Sequence, residues 1–277
     1  MSELTVDPHA DSGPLWMEGR RAIVSGGGLS GTAGGVGYAT SRLLARHGAM
    51  VAVVDRDPAA GKKTVADIEA AGGEAFFVHA DLTVDADCER AVATAAERFG
   101  GLDTLINSAA SGDRAGVFDV SPEHWDRLIA LNLKTAWMMT RHAAPAMTGG
   151  GAIVNVSSSA VTANGPGSVY GIGKAGVEHL THGAASTLGP RGIRVNCVRV
   201  GAIWSSMAER DLPPEAREMR AKGVALQTEG TSWDIAYAAL FLASDRARWV
   251  SGHVLAVEGG GPHRTGFASR SAEAAKR

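Results

Sequence analysis

The segment Ser25-Gly26-Gly27-Gly28-Leu29-Ser30-Gly31-Thr32-Ala33-Gly34-Gly35-Val36-Gly37 constrains this chain more than any other. The apolar run Ala22-Ile23-Val24 precedes it and reads as a strand. A helical pattern follows, with Val36, Thr40, Leu43 and Leu44 on one face and Gly48 stopping the run. Strand, glycine loop and helix together cradle a phosphate. Glycines let the backbone approach the anion, and the helix N-terminus offers free N–H groups and partial positive charge. Gly26-Gly27-Gly28-Leu29-Ser30-Gly31 fits G-x-G-x-x-G literally. Residues 31–35 are poor helix formers, however, so the helix is predicted to start near Val36.

Six further apolar runs alternate with helical patterns, at 51–54, 75–79, 104–107, 152–156, 194–198 and 254–257. They are mostly continuous rather than alternating, as strands covered on both faces should be. The predicted fold is therefore α/β: a single Rossmann-type domain, with a seven-stranded parallel sheet and helices on both faces. Local signals mark the helix ends. Ser121-Pro122-Glu123 offers an N-cap followed by proline, and Thr231-Ser232-Trp233-Asp234 has capping-box spacing. Gly72-Gly73 and Gly100-Gly101 close two others. Residues 1–19 are expected to form a flexible leader, 20–261 the domain and 262–277 a tail.

The chain has 277 residues and a formal net charge of −2, which suits a globular protein with an ample core and argues against a nucleic-acid footprint. No apolar run reaches the ~18 residues of a membrane helix, and no secretory leader is recognisable. Cys88 and Cys197 sit in apolar patterns and read as buried free thiols of a reducing, cytoplasmic setting. His179 and His182 lie three apart on a helix without a third ligand beside them, so no metal site is expected.

Val53-Val54-Asp55 ends the second strand. A carboxylate there accepts hydrogen bonds from an adenosine ribose and repels a 2′-phosphate, so Asp55 favours NAD over NADP, with Arg56 softening the preference. Tyr170-Gly171-Ile172-Gly173-Lys174 puts Tyr170 and Lys174 on one helix face. A free tyrosine titrates near ~10, and an adjacent ammonium favours its phenolate.

These motifs, in this order, resemble the short-chain dehydrogenase/reductase family from about Arg20 to Gly261. The resemblance implies that Tyr170 is the acid/base and Lys174 its partner, which also holds the nicotinamide ribose. It implies an adenine contact at Asp81-Leu82. Asn107-Ser108-Ala109-Ala110 stands where the family usually has Asn-Asn-Ala-Gly, so Asn107 and Ala109 are expected at the cofactor, with Ala110 a departure at the turn. Asn132 resembles the helix asparagine that kinks its helix and holds a water relaying protons to the lysine. The serine is open: the second serine after the strand is Ser158, whereas spacing of thirteen before the tyrosine gives Ser157. Strand register favours Ser158. Its role would be to hydrogen-bond the substrate oxygen. Val200-Gly201 replaces the family's Pro-Gly, and Gly201, Ile203 and Ser205 are expected at the nicotinamide.

The family's glycine motif would open at Gly26 and close at Gly35, Val36 and Gly37, with about five extra residues between. Residues 29–33, Ser30 among them, are expected to bulge around the pyrophosphate. Residues 204–232 are expected to form a substrate lid. Trp204, Met207, Leu212, Met219, Val224 and Leu226 make it apolar, with Ala160, Val161 and Val169 opposite. Arg114, Arg199 and Arg210 are the cations available to an acidic substrate. The implied activity is NAD(H)-dependent interconversion of a secondary alcohol and a ketone of medium, hydrophobic or cyclic character, in a homotetramer or a homodimer. Enoyl reduction is one alternative, though it goes with a wider Tyr–Lys spacing. A non-catalytic NAD(H) sensor is the other.

Overall fold

The computed structural model describes residues 15–113, 115–162 and 167–261. Most of the expected leader, Arg114 and the expected tail lie outside them. All seven anticipated strands form: β1 (Arg21–Ser25), β2 (Met50–Asp55), β3 (Glu74–His79), β4 (Thr104–Asn107), β5 (Gly151–Ser158), β6 (Ile193–Val200) and, after a short pair, β9 (Val254–Val257). They make one sheet in the order β3-β2-β1-β4-β5-β6-β9. Every neighbouring pair in it is parallel. Strand order reverses between β1 and β4, so a crevice opens at their carboxyl ends.

Alternation along each strand explains why the runs look continuously apolar. Ala22, Val24, Val51 and Val53 join one buried cluster with Leu43 and Leu44 of α1 (Val36–Arg46) and Ile68 of α2 (Pro58–Ala70). Ile23, Ala52 and Val54 face the other way, against Cys88 and Val92 of α3 (Asp85–Phe99) and Met138 and Met139 of α5 (Thr135–Ala146). Each of the valine, leucine, isoleucine and methionine side chains among them contributes about 1.5–3 kcal/mol by leaving water, so both faces must be roofed by helices.

Helix starts follow their signals. α1 begins at Val36, as the poor helix formers before it require. Ser121 caps α4 (Pro122–Ile129) by accepting from the His124 N–H at 3.2 Å. Thr231 and Asp234 close the capping box of α9 (Ser232–Ala243). Between α4 and α5 the chain makes one π-helical turn, Ala130–Lys134. α6 (Val169–Leu188) carries Tyr170 and Lys174.

The expected lid contains a two-residue strand pair, β7 (Ile203–Trp204) with β8 (Gly230–Thr231), and two short helices, α7 (Ser206–Asp211) and α8 (Ala216–Lys222). At the far side of the sheet the guanidinium of Arg194 on β6 donates to the carbonyls of Leu242 at 2.7 Å and Ser244 at 3.0 Å, where α9 ends, and to Val250 at 3.4 Å. Among the described residues no helix is long and apolar enough to cross a membrane. Ala110 needs no glycine: Gln227 is the one described non-glycine residue with positive φ. Val200 continues β6 in register with Val257 rather than breaking it as a proline would.

Candidate active site

β1 ends at Ser25, and the chain turns at Gly26 with φ +65°. The N–H groups of Gly26 and Gly27 donate to the Val54 carbonyl at 2.8 and 3.3 Å. The first turn of α1 crosses directly over this point. A Cβ on Gly37 would lie 2.1 Å from the Gly26 oxygen, and one on Gly26 would lie 2.7 Å from Ala109 Cα. Only glycine allows both approaches, and they leave bare backbone facing the crevice. Ser25 Oγ accepts from the Ser108 and Ala109 N–H groups at 3.1 and 3.3 Å, which draws the segment after β4 to the same place.

The extra loop residues do not follow their expected path. Of residues 29–33, Ser30 alone lines the cleft. Gly31 and Gly34 take φ of +61° and +66° and turn the chain outward onto α7. There Thr32 N–H and Ala33 N–H donate to Glu209 Oε2 at 2.8 and 3.2 Å, and Thr32 Oγ1 donates to Glu209 Oε1. Ala33 is buried among Trp204, Ala208 and Leu212. An apolar residue between two left-handed glycines thus finds cover under the lid helix rather than beside a phosphate.

Gly26, Gly35, Val36 and Gly37 line a cleft of about 660 Å³. Asp55, Arg56, Asp81, Leu82 and Ala109 form its next wall. The Asp55 carboxylate, at the end of β2, accepts from Gly28 N–H at 2.9 Å and Asp57 N–H at 3.0 Å. The hydroxyl and N–H of Thr83 hold the Asp81 carboxyl below the usual carboxylate range, and the Arg56 charge adds to this. Asn107 departs from expectation. Its side chain is buried and donates to Asn155 Oδ1 at 2.8 Å and Thr140 Oγ1 at 3.1 Å, bracing β4 against β5 and α5. It does not line the cleft.

The other end of the cleft holds Tyr170, Lys174 and Ser158, with Gly201, Ile203 and Ser205 alongside. The Ser158 hydroxyl stands beside the Tyr170 phenol, where it favours the phenolate, and its Oγ accepts from the Ala160 N–H at 3.2 Å. Lys174 is almost wholly buried, donates to the Val156 carbonyl at 2.9 Å and lies 5.8 Å from the Tyr170 ring centroid. Burial pulls its pKa from 10.5 to about 8. Tyr170 shifts up, not down as the neighbouring ammonium led us to expect. Burial of the phenol outweighs the influence of the Ser158 hydroxyl beside it, and Lys174 spends its nearest contact on the backbone.

Ser157 and Ser158 are separated by their partners. Ser157 also borders the cleft, but its Oγ is taken up under α6, donating to Glu178 Oε1 at 2.8 Å with the Lys174 carbonyl 3.3 Å away. Glu178 in turn pairs with Arg199 at 2.7 Å. Arg199 is therefore engaged under α6 rather than free for an acidic substrate. Glu178 lies four residues after Lys174, a spacing that could have flagged it. Asn132 also stays out of the cleft. It is buried in the π turn, packs against the backbone of Gly173, and exchanges hydrogen bonds with Ser111 at 3.0 and 3.2 Å.

On the substrate side Met207, Leu212 and Ala160 line the cleft as expected. Trp204 and Val224 are instead buried in the packing of the lid, Val169 is buried in α6, and Met219 and Leu226 are 72% and 69% exposed. Sequence reading missed Asp113, Asp211 and Arg220, which line the mouth with Arg210. Asp113 is paired with His124 at 2.6 Å and Arg210 with Asp211 at 2.7 Å. His179 and His182 are exposed on α6.

A parallel sheet with a glycine loop at its switch point and a Ser-Tyr-Lys cluster beside it defines a dinucleotide-fold oxidoreductase. A family model described as enoyl-(acyl carrier protein) reductase matches residues 31–261. The 2,5-dichloro-2,5-cyclohexadiene-1,4-diol dehydrogenase LinX of Sphingobium indicum is 34% identical over 247 residues, which cover 88% of this chain and 96% of that one. The (+)-borneol dehydrogenase 2 of Salvia officinalis is 36% identical over 264 residues, 89% of this chain and 90% of that one. A solved 7α-hydroxysteroid dehydrogenase, complexed with NADH and 7-oxo glycochenodeoxycholic acid, superposes with a TM-score of 0.83 at 32% identity, covering 89% and 96% of the two chains. The chain belongs to the short-chain dehydrogenase/reductase family.

Proposed function

We propose that the protein is an NAD(H)-dependent oxidoreductase that interconverts a secondary alcohol and a ketone. The carrying observation is that Ser158, Tyr170 and Lys174 gather at one end of a cleft whose other end is Asp55. The residues fit a dinucleotide. Glycine backbone with no room for Cβ atoms lines the middle of the cleft, at the start of a helix. Asp55 at the ribose end supports NAD over NADP. NAD, when bound, supplies the hydride acceptor and, in its oxidised form, a positive charge near the phenol.

The remaining chemistry belongs to this chain. Ser158 Oγ donates to the substrate oxygen as charge develops there. Tyr170 Oη takes the hydroxyl proton in oxidation and returns it in reduction. Lys174 Nζ supports the phenolate and passes the proton on, with Asn132 fixing the π turn beneath it. Leu212, Met207 and Ala160 support a medium-sized apolar substrate. The cyclic alcohols named for the diol, borneol and steroid dehydrogenases above support the same size class. The family resemblance also supports a homotetramer.

Turnover is tested on secondary alcohols with NAD and with NADP. Tyr170→Phe is expected to lower it by about 10²–10⁴-fold while NADH still binds; near-normal turnover would sink the assignment. The description of the matching family model favours a second reading, enoyl reduction. The four-residue Tyr–Lys spacing weighs against it. NADH consumption on enones but not ketones would select it. NADH binding without turnover of either would select the sensor.

A further inference from the structure

We propose that Glu209 is a positioning residue that latches the lid helix α7 onto the extended glycine loop, so that lid and loop open as one unit to admit and release the dinucleotide. The inference rests on the reading of the cleft given above.

The latch joins residues 177 positions apart in the chain. Glu209 accepts from two successive loop N–H groups through one oxygen and from the Thr32 hydroxyl through the other. Successive N–H groups following a left-handed glycine form a concavity that binds anions. Here a carboxylate of the lid fills it. Gly31 makes room: a Cβ there would lie 2.4 Å from Glu209 Oε2. Thr32 and the loop N–H groups hold the Glu209 carboxyl below its usual range, so it is ionised at neutral pH and its hydrogen bonds are charge-assisted. Three further contacts run alongside. Ser206 N–H donates to the Gly34 carbonyl at 2.9 Å, Ser30 Oγ meets Ser206 Oγ at 3.0 Å, and Ala33 is buried under Trp204 and Ala208.

α7 has six residues, too few to hold a helix on its own propensity. Its order therefore depends on what it docks against, which includes the loop as well as Gly112 across the cleft. Ser30 and Gly35 of the loop and Met207 and Leu212 on the lid line the same cleft. A ligand leaving between them must part the two segments that Glu209 joins.

The test uses the full chain, with hydrogen exchange of the cofactor-free protein and stopped-flow release of NADH. Glu209→Ala is expected to raise exchange in residues 30–35 and 204–212 about tenfold, and to speed NADH release by a similar factor. Exchange in β1 and α6 should stay unchanged. Glu209→Gln can accept both loop N–H groups and donate to Thr32 Oγ1 but loses the charge that strengthens them, so it should lie between wild type and Glu209→Ala. Thr32→Val, which loses one bond, should lie in the same range. Unchanged exchange in Glu209→Ala overturns the latch. Faster exchange with unchanged NADH release overturns its part in cofactor traffic. A wild-type protein that binds no NADH overturns the reading of the cleft instead, while exchange still reports on the contact between loop and lid.

Discussion

At the scale of single residues, a buried cation sets the pH behaviour. Below pH 8 both folded and unfolded chains hold the Lys174 proton, and the folded protein bears the full cost of burying that charge. Between about 8 and 10.5 the folded protein has released a proton that the unfolded chain still binds, so stability rises with pH across this window. The gap between those two values corresponds to about 3 kcal/mol. Above about pH 9 the buried thiols of Cys88 and Cys197, pushed up to about 12, act in the opposite sense, so the Lys174 contribution is read by difference: urea unfolding of the cofactor-free protein from pH 7 to 10 should give a less positive slope in Lys174→Met than in wild type, and an identical slope would refute the assignment. The Tyr170–Lys174 pair was legible because four residues make one helical face. The two serines were not settled by counting, because one spacing rule pointed to each. Their partners separate them: the Ser157 hydroxyl is taken by Glu178, whereas Ser158 stands beside the Tyr170 phenol.

At the scale of elements, the strands were legible because burial on both faces writes continuous apolar runs, and all seven appear within two residues of their expected limits. The π turn Ala130–Lys134 was legible only as the kink that the resemblance implied at Asn132, since Ala-Leu-Asn-Leu-Lys is ordinary helical sequence; the turn packs against Gly173 of α6. The strand pair β7–β8 was too short to leave a pattern. The glycine loop was half legible. Its two ends obey backbone geometry that a single chain segment dictates. Its middle answers to Glu209, whose partnership no local window contains. The end of the loop gives a sharp expectation. Gly37→Ala drives a methyl to 2.1 Å from the Gly26 oxygen, backbone against backbone. NADH affinity should fall at least about tenfold, with a loss of about 1–3 kcal/mol in stability; calorimetric titration showing wild-type affinity would remove the loop from the cofactor site.

At the scale of the whole molecule, the edge of the sheet at β9 lies near Trp249, which is 91% exposed. A large aromatic beside a sheet edge is a place for a second copy to pack. We expect light scattering after gel filtration to give a tetramer mass, and Trp249→Glu to lower it; a wild-type monomer would refute this. The same side of the molecule carries Arg194, and here the order of synthesis matters. The guanidinium leaves the ribosome 48 to 56 residues before the carbonyls of Leu242 and Val250 that receive it. Until they arrive, β6 holds a charge that has no place in a finished interior. The same helix α9 also covers α1 and the residues of β1 and β2 that face it, so the layer on that side of the sheet stays open until the last quarter of the chain has been made, and the arginine is satisfied in the same closing step.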